Sequence, residues 1–499
     1  MINIEAKKAV LAEQLKRWDV PSCALAIVKD GEVLFAGGVG MRDNAAAPVT
    51  ENTLFQIASC TKAFTATLAA VCATEGLLDF DTPVREYMPD FRLSDDYATA
   101  HLTVRDFLSH RSGLPRHEMA WYGTGFSRRE LMANLRHLPL NMPIRYQYQY
   151  SNFNYLITGA LIEAVTGMKF EDALREKLLL PLGMERSFVY LDEIEHDADH
   201  ALAFGRPEEY TMTGIVQIPY YSSPAEVRSA DPGEKVGDPT AAAGCIVSCA
   251  RDMAKWLQFN LSRGKVGERQ LVREDLMDLI ATMHIYSGDD PAIPEQSGGS
   301  YGLGWSVFNY RGHKMLEHGG NLNGFTSSTS FVPDRNLGLF ISANMNVTLL
   351  PEALFRDLID ADLGVDGGNW YERMYRSNEA MFQYVLDFFR AFGGECIPDT
   401  RPSHKPEEYA GTYEADGYRR FLVLCEDGKL VADFNTFRAE LKHHHYDSFA
   451  TTASFGELPA GLVLTFGTDP EGTVRTLSVT LGSERNLKPI VFTRKANEP

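Results

Sequence analysis

The chain has 499 residues, of which 44% are hydrophobic and 23% charged, and its formal net charge at pH 7 is −19. This balance is typical of a globular protein with a large core, and the length predicts at least two domains. An acidic surface repels the phosphates of nucleic acids and of anionic membranes, so we expect neither as a partner.

The N-terminal segment and the cysteines bear on the compartment. Residues 1–21 mix charged and apolar side chains at helical spacing and lack the continuous apolar run of a signal peptide. No stretch is long and apolar enough to predict a membrane span. The seven cysteines are odd in number and form no CxxC pair, as in reduced cytosolic proteins. We therefore expect a cytoplasmic protein without membrane contact.

Early strands, a long helical stretch and late strands follow one another along the chain. The pattern predicts a helix over 3–18 and then two strands joined by a tight turn at Asp30-Gly31. A second strand pair turns at Pro333-Asp334. Helices inserted between the early and late strands of one sheet predict an α+β domain, in which helices flank an antiparallel sheet. The helical patterns between the strand pairs lie at 60–75, 104–110, 153–166, 170–179 and 251–262.

The character of the sequence changes near residue 393. A helical pattern ends at Gly393-Gly394, and a polar, proline-bearing segment follows it. Short apolar stretches separated by turn residues then continue along the chain, as in a small antiparallel barrel or sandwich. We therefore divide the chain into an α+β domain of residues 1–393, a linker of residues 394–405 and a β domain of residues 406–499.

Residues 58–66 read "ASCTKAFTA", in which Ser59 begins a predicted helix and Lys62 lies one turn further on. Residues i and i+3 share a helix face, so both side chains point into the same space. Burial among apolar neighbours lowers the pKa of a lysine, and a neutral amine can take the proton of a serine hydroxyl. The helix dipole also favours an oxyanion at the backbone N–H of Ser59. The alternative is that Ser59 only caps the helix and Lys62 reaches solvent.

Two further motifs carry residues suited to chemistry. Tyr150 and Asn152 precede a predicted helix; a tyrosine beside a lysine can relay a proton, and an asparagine can bind a substrate amide. His318, Gly319 and Gly320 lead into an apolar strand, where glycines let a substrate lie close to the backbone. Taken singly, Tyr150 is equally well a packed aromatic residue and His318 a buried core histidine.

Together the three motifs resemble those of the serine β-lactamase and penicillin-binding-protein superfamily, in its class C-like branch. That branch contains D-aminopeptidases, D-Ala-D-Ala carboxypeptidases and family VIII esterases, which carry Ser-x-x-Lys, Tyr-x-Asn and Lys/His-x-Gly in this order. Segments such as "LTVRDFLSHRSGLP" and "PLGMERSFV" extend the likeness over roughly 10–365. The C-terminal β domain resembles the lipocalin-like barrel that some of these peptidases carry.

The resemblance implies a role for each motif residue. Ser59 would be the acylated nucleophile, and Lys62 and Tyr150 the pair that transfers its proton. The oxyanion hole would consist of the backbone N–H groups of Ser59 and Asn321. The implied substrate-binding residues are Asn152, which also anchors the lysine, His318, Gly319, Gly320 and Asn321.

The resemblance also implies a function. We expect a serine hydrolase that forms an acyl-enzyme on small amides or short peptides, including those with D-residues, and that needs no metal or cofactor. β-Lactamases proper carry lysine where this chain has His318, whose charge we expect to depend on pH near neutrality. A family VIII-type carboxylesterase is the alternative, while a β-lactamase and a non-catalytic scaffold rank below it. The resemblance leaves a homo-oligomer open.

Overall fold

A computed structural model describes residues 2–190, 193–194, 197–206, 212, 215–217, 238–322, 324–392, 395–453, 461–482 and 488–495. In these ranges the chain forms an eight-stranded antiparallel sheet, flanked by helices, and a closed eight-stranded barrel near the C-terminus. The predicted α+β class and the predicted antiparallel barrel are confirmed.

The helices fall into an early group, a central group and two long late helices. They are α1 (Ile4–Arg17), α2 (Thr61–Thr74), α3 (Val84–Tyr87), α4 (Asp96–His101), α5 (Val104–Leu108), α6 (Arg128–Asn134), α7 (Asn152–Thr166), α8 (Phe170–Leu174), α9 (Ala241–Gly244), α10 (Ala250–Leu261), α11 (Glu274–Ile280), α12 (Leu350–Leu363), α13 (Trp370–Phe392) and α14 (Pro406–Tyr409). No helix in the described part of the chain has the length and apolar character that crossing a membrane requires.

The main sheet has the strand order β2-β1-β14-β13-β12-β11-β10-β9. Its strands are β1 (Ser22–Lys29), β2 (Glu32–Gly40), β9 (Ile285–Tyr286), β10 (Gln296–Tyr301), β11 (Ser306–Tyr310), β12 (His313–Leu322), β13 (Phe325–Val332) and β14 (Leu337–Ala343). Three short pairs lie outside it: β3 (Phe55–Gln56) with β6 (Val247–Ser248), β4 (Phe204–Gly205) with β5 (Val216–Gln217), and β7 (Lys265–Val266) with β8 (Arg269–Gln270).

The first helix and the first hairpin form where the sequence predicts them. Asn3 caps α1, because its side chain accepts a hydrogen bond of 3.1 Å from the backbone N–H of Ala6. Asp30 and Gly31 join β1 to β2 with φ angles of 54° and 84°. Positive φ at both positions is what a two-residue type I′ turn requires, and Asp-Gly tolerates it well.

The sheet separates two hydrophobic cores. Alternate residues of β1 point to opposite faces, so Ala24 and Ala26 join one core while Leu25 and Ile27 join the other. Helices α2, α7 and α10 contribute to the first core, and helices α1, α12 and α13 to the second. The predicted nucleophile, at the start of α2, therefore lies on the first face.

The predicted helical segments are present, with one change. The patterns at 60–75, 104–110, 153–166 and 251–262 correspond to α2, α5, α7 and α10. The pattern at 170–179 begins as α8 and continues as a π-helical turn over Arg175–Leu179. In a π turn the backbone hydrogen bonds join residues five apart instead of four, a change that the apolar pattern does not predict.

The C-terminal barrel closes by pairing its first strand with its last. Its strands are β15 (Gly411–Glu414), β16 (Phe421–Glu426), β17 (Lys429–Phe434), β18 (Phe437–His445), β19 (Ser448–Thr451), β20 (Val463–Thr468), β21 (Val474–Val479) and β22 (Ile490–Arg494). The rings of Phe421, Phe434 and Phe492 pack inside it. Gly393-Gly394, where a helix end is predicted, lies outside the described residues, and the boundaries of the linker at 394–405 stay predictions.

A buried ion-pair network holds the segment that leads to Tyr150. The fully buried carboxylate of Asp106 accepts hydrogen bonds from Arg111 Nε at 2.6 Å and from Arg145 Nη2 at 2.7 Å. The same carboxylate caps α5 through the backbone N–H of Thr103. The backbone N–H of Arg145 also donates to the carbonyl oxygen of Arg111. The segments around Arg111 and Arg145 are therefore joined by a backbone hydrogen bond as well as through Asp106.

We expect Asp106→Ala to lower the free energy of unfolding by about 3 kcal/mol, because it leaves two guanidinium groups without their shared buried partner. The matched control is Asp81→Ala, whose carboxylate is 66% exposed and pairs with Arg105. That change should cost less than about 1 kcal/mol. Urea unfolding of the three proteins measures the difference, and equal losses in both variants would contradict the structural importance of the network.

Candidate active site

A strained turn presents Ser59 at the start of α2. Ser59 lies in a 3₁₀ turn, Ala58–Cys60, that runs directly into the helix. Ala58 has a φ of 47°, in the left-handed region of backbone conformations that residues other than glycine rarely adopt. The preceding carbonyl, that of Ile57, accepts a 2.6 Å hydrogen bond from the Ser327 hydroxyl on β13. The sheet therefore fixes the turn and with it the direction of the Ser59 side chain.

Lys62 is fully buried and surrounded by oxygen atoms. Its Nζ lies 2.9 Å from Ser59 Oγ, 2.9 Å from Asn152 Oδ1 and 2.8 Å from the carbonyl oxygen of Ala243 on α9. Burial lowers the pKa of Lys62 well below its ordinary value, and the nearby positive charge of Arg116 adds to this effect. The amine is therefore held close to the Ser59 hydroxyl in an environment that favours its neutral form.

Tyr150 lies over the same amine. Lys62 Nζ is 4.9 Å from the centroid of the Tyr150 ring, and the Tyr150 hydroxyl is hydrogen-bonded to the side chain of Ser59. Burial raises the pKa of Tyr150 above its ordinary value, so the side chain keeps its proton at neutral pH. Asn152, at the first turn of α7, donates from Nδ2 to Glu118 Oε1 at 3.4 Å. Burial thus favours the neutral form of the Lys62 amine and the protonated form of the neighbouring Tyr150 phenol.

His318 lies on β12 and is only 5% exposed. Its Nδ1 donates to the carbonyl oxygen of Gly319 at 2.7 Å, which leaves Nε2 to accept from the Tyr301 hydroxyl at 2.8 Å. Burial, with the charge of Lys62, lowers the pKa of His318 to about 3. The prediction of a charge that changes near neutral pH is therefore wrong: an imidazole enclosed in this way stays neutral.

The two glycines of the third motif lie on different faces of β12. A side chain at Gly320 would come within 2.3 Å of the Ile57 carbonyl oxygen and 2.9 Å of the Ser59 backbone nitrogen, so the strand packs directly on the nucleophile turn. Gly319 points the other way and is exposed. Asn321 uses its side-chain oxygen within the fold, where it accepts two hydrogen bonds. Its backbone N–H, like that of Ser59, stays a predicted oxyanion donor.

The structure thus brings Ser59, Lys62, Tyr150 and Asn152 into mutual contact, with His318 beside them. Four neighbours were not singled out from the sequence: His110, Arg116, Glu118 and Tyr301. The buried His110 accepts a hydrogen bond from the backbone N–H of Ser151, and its ring centroid lies 4.3 Å from that of Tyr150. No spacing in the sequence marks these neighbours, since they come from separate segments.

A charged pair forms one wall of the cluster. Arg116 Nε lies 2.8 Å from Glu118 Oε1, and the Arg116 guanidinium is 5.5 Å from the centroid of the Tyr150 ring. Glu118 is 8% exposed and reaches the cluster through Asn152. This wall gives the cleft a carboxylate and a guanidinium next to the nucleophile.

The C-terminal barrel supports this wall. Asn435, in the turn between β17 and β18, donates from Nδ2 to the carbonyl oxygens of Met119 at 3.0 Å and Tyr122 at 2.8 Å. The Tyr122 ring stacks on that of Phe437 with centroids 5.6 Å apart, and Met119 packs into the barrel core. The segment that carries the charged pair is therefore held from both domains.

The fold and the comparisons with known proteins define the chain as a serine hydrolase. A family model described as Beta-lactamase matches residues 8–361, and the chain belongs to that family. A second model, a domain of unknown function (DUF3471), matches residues 396–494, which include the barrel.

Similar proteins include an unguisins hydrolase, ungD′, from Aspergillus campestris. It is 29% identical over 452 residues, which cover 85% of this chain and 78% of that protein. The octameric penicillin-binding protein homologue from Pyrococcus abyssi has the same fold over 99% of this chain and 100% of its own, with a TM-score of 0.62 at 20% identity. The D-amino acid amidase from Ochrobactrum anthropi, complexed with D-phenylalanine, matches 72% of this chain and 97% of its own, with a TM-score of 0.54 at 23% identity.

The enclosed imidazole predicts a stability effect at acid pH. In the unfolded chain His318 takes up a proton near its ordinary pKa of 6.5, but in the folded chain only near pH 3. As pH falls from 6.5 towards 3, the free energy of unfolding of the wild type should fall by up to about 1.4 kcal/mol per pH unit because of His318. His318→Gln has no such group and should not show this loss. Urea unfolding of both proteins at several pH values measures the gap, and a gap that does not vary with pH would mean that His318 is not held neutral.

The barrel contact predicts an effect on activity. We expect Asn435→Gly to lower kcat/KM about tenfold, because it removes two hydrogen bonds, worth about 1 kcal/mol each, from the segment beside the nucleophile. Glycine suits the site because Asn435 has a φ of 55°. Asp427→Gly is the matched control, since Asp427 has a φ of 50° in the exposed turn at the other end of β17. If both variants retain full activity, the barrel does not support the wall.

Proposed function

We propose that Ser59 is the nucleophile of an acyl-enzyme reaction and that neutral Lys62 is its general base. The observation that carries this proposal is the set of three oxygen atoms around Lys62 Nζ. A neutral amine has two hydrogens and one lone pair. The side-chain amide oxygen of Asn152 and the backbone carbonyl oxygen of Ala243 can only accept hydrogen bonds, so the two hydrogens of the amine point to them. The lone pair is then left for the Ser59 hydroxyl, which is the geometry of a base about to remove its proton.

The reaction then proceeds in two stages. Ser59 Oγ attacks the substrate carbonyl carbon while its proton passes to Lys62, and backbone N–H groups of Ser59 and Asn321 stabilise the negative oxygen. Tyr150, which burial keeps protonated, donates a proton to the leaving amine and regains one from Lys62. The serine ester that remains is hydrolysed by a water molecule, whose proton follows the same two groups in reverse. His318 stays neutral and shapes the cleft beside them.

The substrate that we propose is a small amide or short peptide with a free amino group. Glu118 supports this choice: its carboxylate lies next to Asn152, within reach of an ammonium group close to the reacting carbonyl. The names of the unguisins hydrolase and of the D-amino acid amidase also favour a hydrolase of amides. A preference for D-residues is part of the proposal. A carboxylesterase, which needs no ammonium site, is the alternative.

The nucleophile is tested with a fluorophosphonate probe followed by peptide mapping. We expect an adduct on Ser59 in the wild type and none in Ser59→Ala. Lys62→Arg should react at least about 1,000-fold more slowly, because a guanidinium stays protonated and cannot act as a base. Lys177→Arg, at a surface pair with Glu75, is the matched control and should react at the wild-type rate. An adduct on another residue would overturn the assignment of Ser59, and no adduct at all would favour a non-catalytic protein.

The substrate class is tested with Glu118→Gln on two amino-acid anilides, one with a free amine and one N-acetylated. We expect kcat/KM for the free amine to fall at least about tenfold, because a charge-assisted hydrogen bond is lost. The value for the acetylated compound should change less than about threefold. Comparing D- and L-forms gives the stereochemical preference. A short acyl ester that is cleaved better than either anilide, with no effect of the substitution, would favour the carboxylesterase.

The remaining expectations concern the assembly of the protein, its location and its partners. A homo-oligomer stays a prediction, and the octameric assembly is that of the Pyrococcus abyssi protein. The cytoplasmic location and the absence of nucleic-acid and membrane partners stay predictions too. The proposed reaction uses side chains, backbone N–H groups and water, and no group of three or more metal-binding side chains is found among the described residues.

A further inference from the structure

A cavity of about 340 Å³ lies on the face of the main sheet opposite to Ser59. Strands β10, β11 and β12 form one wall, with Phe308 and Glu317, and helix α12 forms the other, with Glu352 and Arg356. Neighbours along a strand point to opposite faces, so Glu317 faces the cavity while the next residue, His318, faces the active site. The cavity is therefore separate from the proposed catalytic cluster and adjoins the strand that bounds it.

The wall of the cavity contains a buried ion pair. Arg356 is 3% exposed and donates from Nη1 to Glu317 Oε2 at 2.7 Å and from Nη2 to Gln296 Oε1 at 3.3 Å. Its guanidinium lies 5.6 Å from the centroid of the Phe308 ring. The charge of Arg356 is thus balanced within the wall. Its Nε, however, is buried and has no hydrogen-bond partner among the described residues.

Glu352 lies one turn before Arg356 on the same face of α12. Its Oε2 is buried and has no hydrogen-bond partner in the part of the chain that the structure describes. Burial and the nearby Glu317 raise the pKa of Glu352 to about 8. Buried polar atoms without a partner, here Glu352 Oε2 and Arg356 Nε in the lining of one cavity, each cost free energy, which a polar ligand that bonds both would recover.

The charge around the cavity selects the kind of ligand. Asp289 and Asp290 lie at its solvent-exposed mouth. With Glu317 they place three carboxyl groups around the single guanidinium of Arg356, and Glu352, whose pKa is raised, becomes a fourth negative charge when a bound cation favours its ionised form. This balance favours a cation over an anion. An organic cation suits the site better than a metal ion, because it can donate N–H bonds and lay its carbon atoms against Phe308.

We propose that this cavity is a second binding site, for a small organic cation that carries an ammonium group and, a few bonds away, an oxygen acceptor. The ammonium group donates to Glu352 Oε2, and the oxygen accepts from Arg356 Nε. Since Glu317 and Gly319 line the cavity and flank His318 in sequence, a bound cation touches the back of the strand that bounds the active site. The proposal does not depend on the reaction proposed above.

Isothermal titration of the full chain with ethanolammonium chloride, at constant ionic strength, tests this site. We expect a Kd below about 10 mM for the wild type and binding at least about tenfold weaker for Glu352→Gln. Glu75→Gln, at the surface pair with Lys177, should bind as the wild type does. Tetramethylammonium, which has charge but no N–H donor, should not bind.

Asp290→Asn, at the exposed mouth, keeps the proposal testable if Glu352→Gln does not fold. Asparagine keeps the oxygen that accepts from the Ala292 backbone N–H, and the lost charge should weaken binding about twofold to fivefold. The proposal is overturned by the absence of binding to the wild type, or by equal affinity in the wild type and Glu352→Gln. Binding that is lost in Glu118→Gln and kept in Glu352→Gln would place the cation in the active site and overturn it too.

Discussion

Burial of the Lys62 amine is the constraint around which the domain is arranged. An ammonium ion buried in an apolar core is costly, and the cost is reduced when the group becomes neutral and its hydrogens are bonded. Here the two carbonyl acceptors come from different helices, Asn152 from α7 and Ala243 from α9. The third contact is Ser59 itself. Three helices must therefore meet at one nitrogen atom, and the same contacts that make burial tolerable prepare the amine to act as a base.

The main sheet holds the nucleophile turn and encloses His318. Strand β12 packs on the nucleophile turn so closely that Gly320 has no room for a side chain. The left-handed backbone of Ala58 is unfavourable alone and is held by the contacts of that turn with the sheet. The sheet also encloses His318, which stays neutral and places no positive charge beside the Lys62 amine. Strain and burial are thus concentrated at the residues that we propose to react.

The sequence predicts well those features that depend on local spacing. The first hairpin follows from Asp30-Gly31, and the shared face of Ser59 and Lys62 follows from the helical repeat. The order of the three motifs was enough to suggest the family. The roles of the motif residues stay predictions, although the structure brings four of them into contact. The hairpin, the shared helix face and the order of the motifs can be predicted without knowledge of contacts between distant segments.

Other features depend on contacts between segments that are distant in the sequence, and local sequence patterns do not predict them. Glu118 borders the cluster because Asn435, more than 300 residues further on, holds its segment. Burial keeps His318 neutral and Tyr301 is hydrogen-bonded to its Nε2, and no spacing in the sequence reveals either. The cavity behind β12 requires helix α12 to pack on strands that precede it. Local patterns therefore predict the reacting groups better than they predict the surroundings that set their protonation.

The protonation state of Lys62 is the central claim, and NMR of lysine labelled with ¹³C at Cε measures it directly, with Lys62→Met to assign the signal. We expect the Lys62 signal to have the chemical shift of a neutral amine at neutral pH and to titrate well below the ordinary lysine pKa of 10.5. A signal that keeps the shift of an ammonium group up to about pH 10 would contradict it, because Ser59 would then have no base beside it.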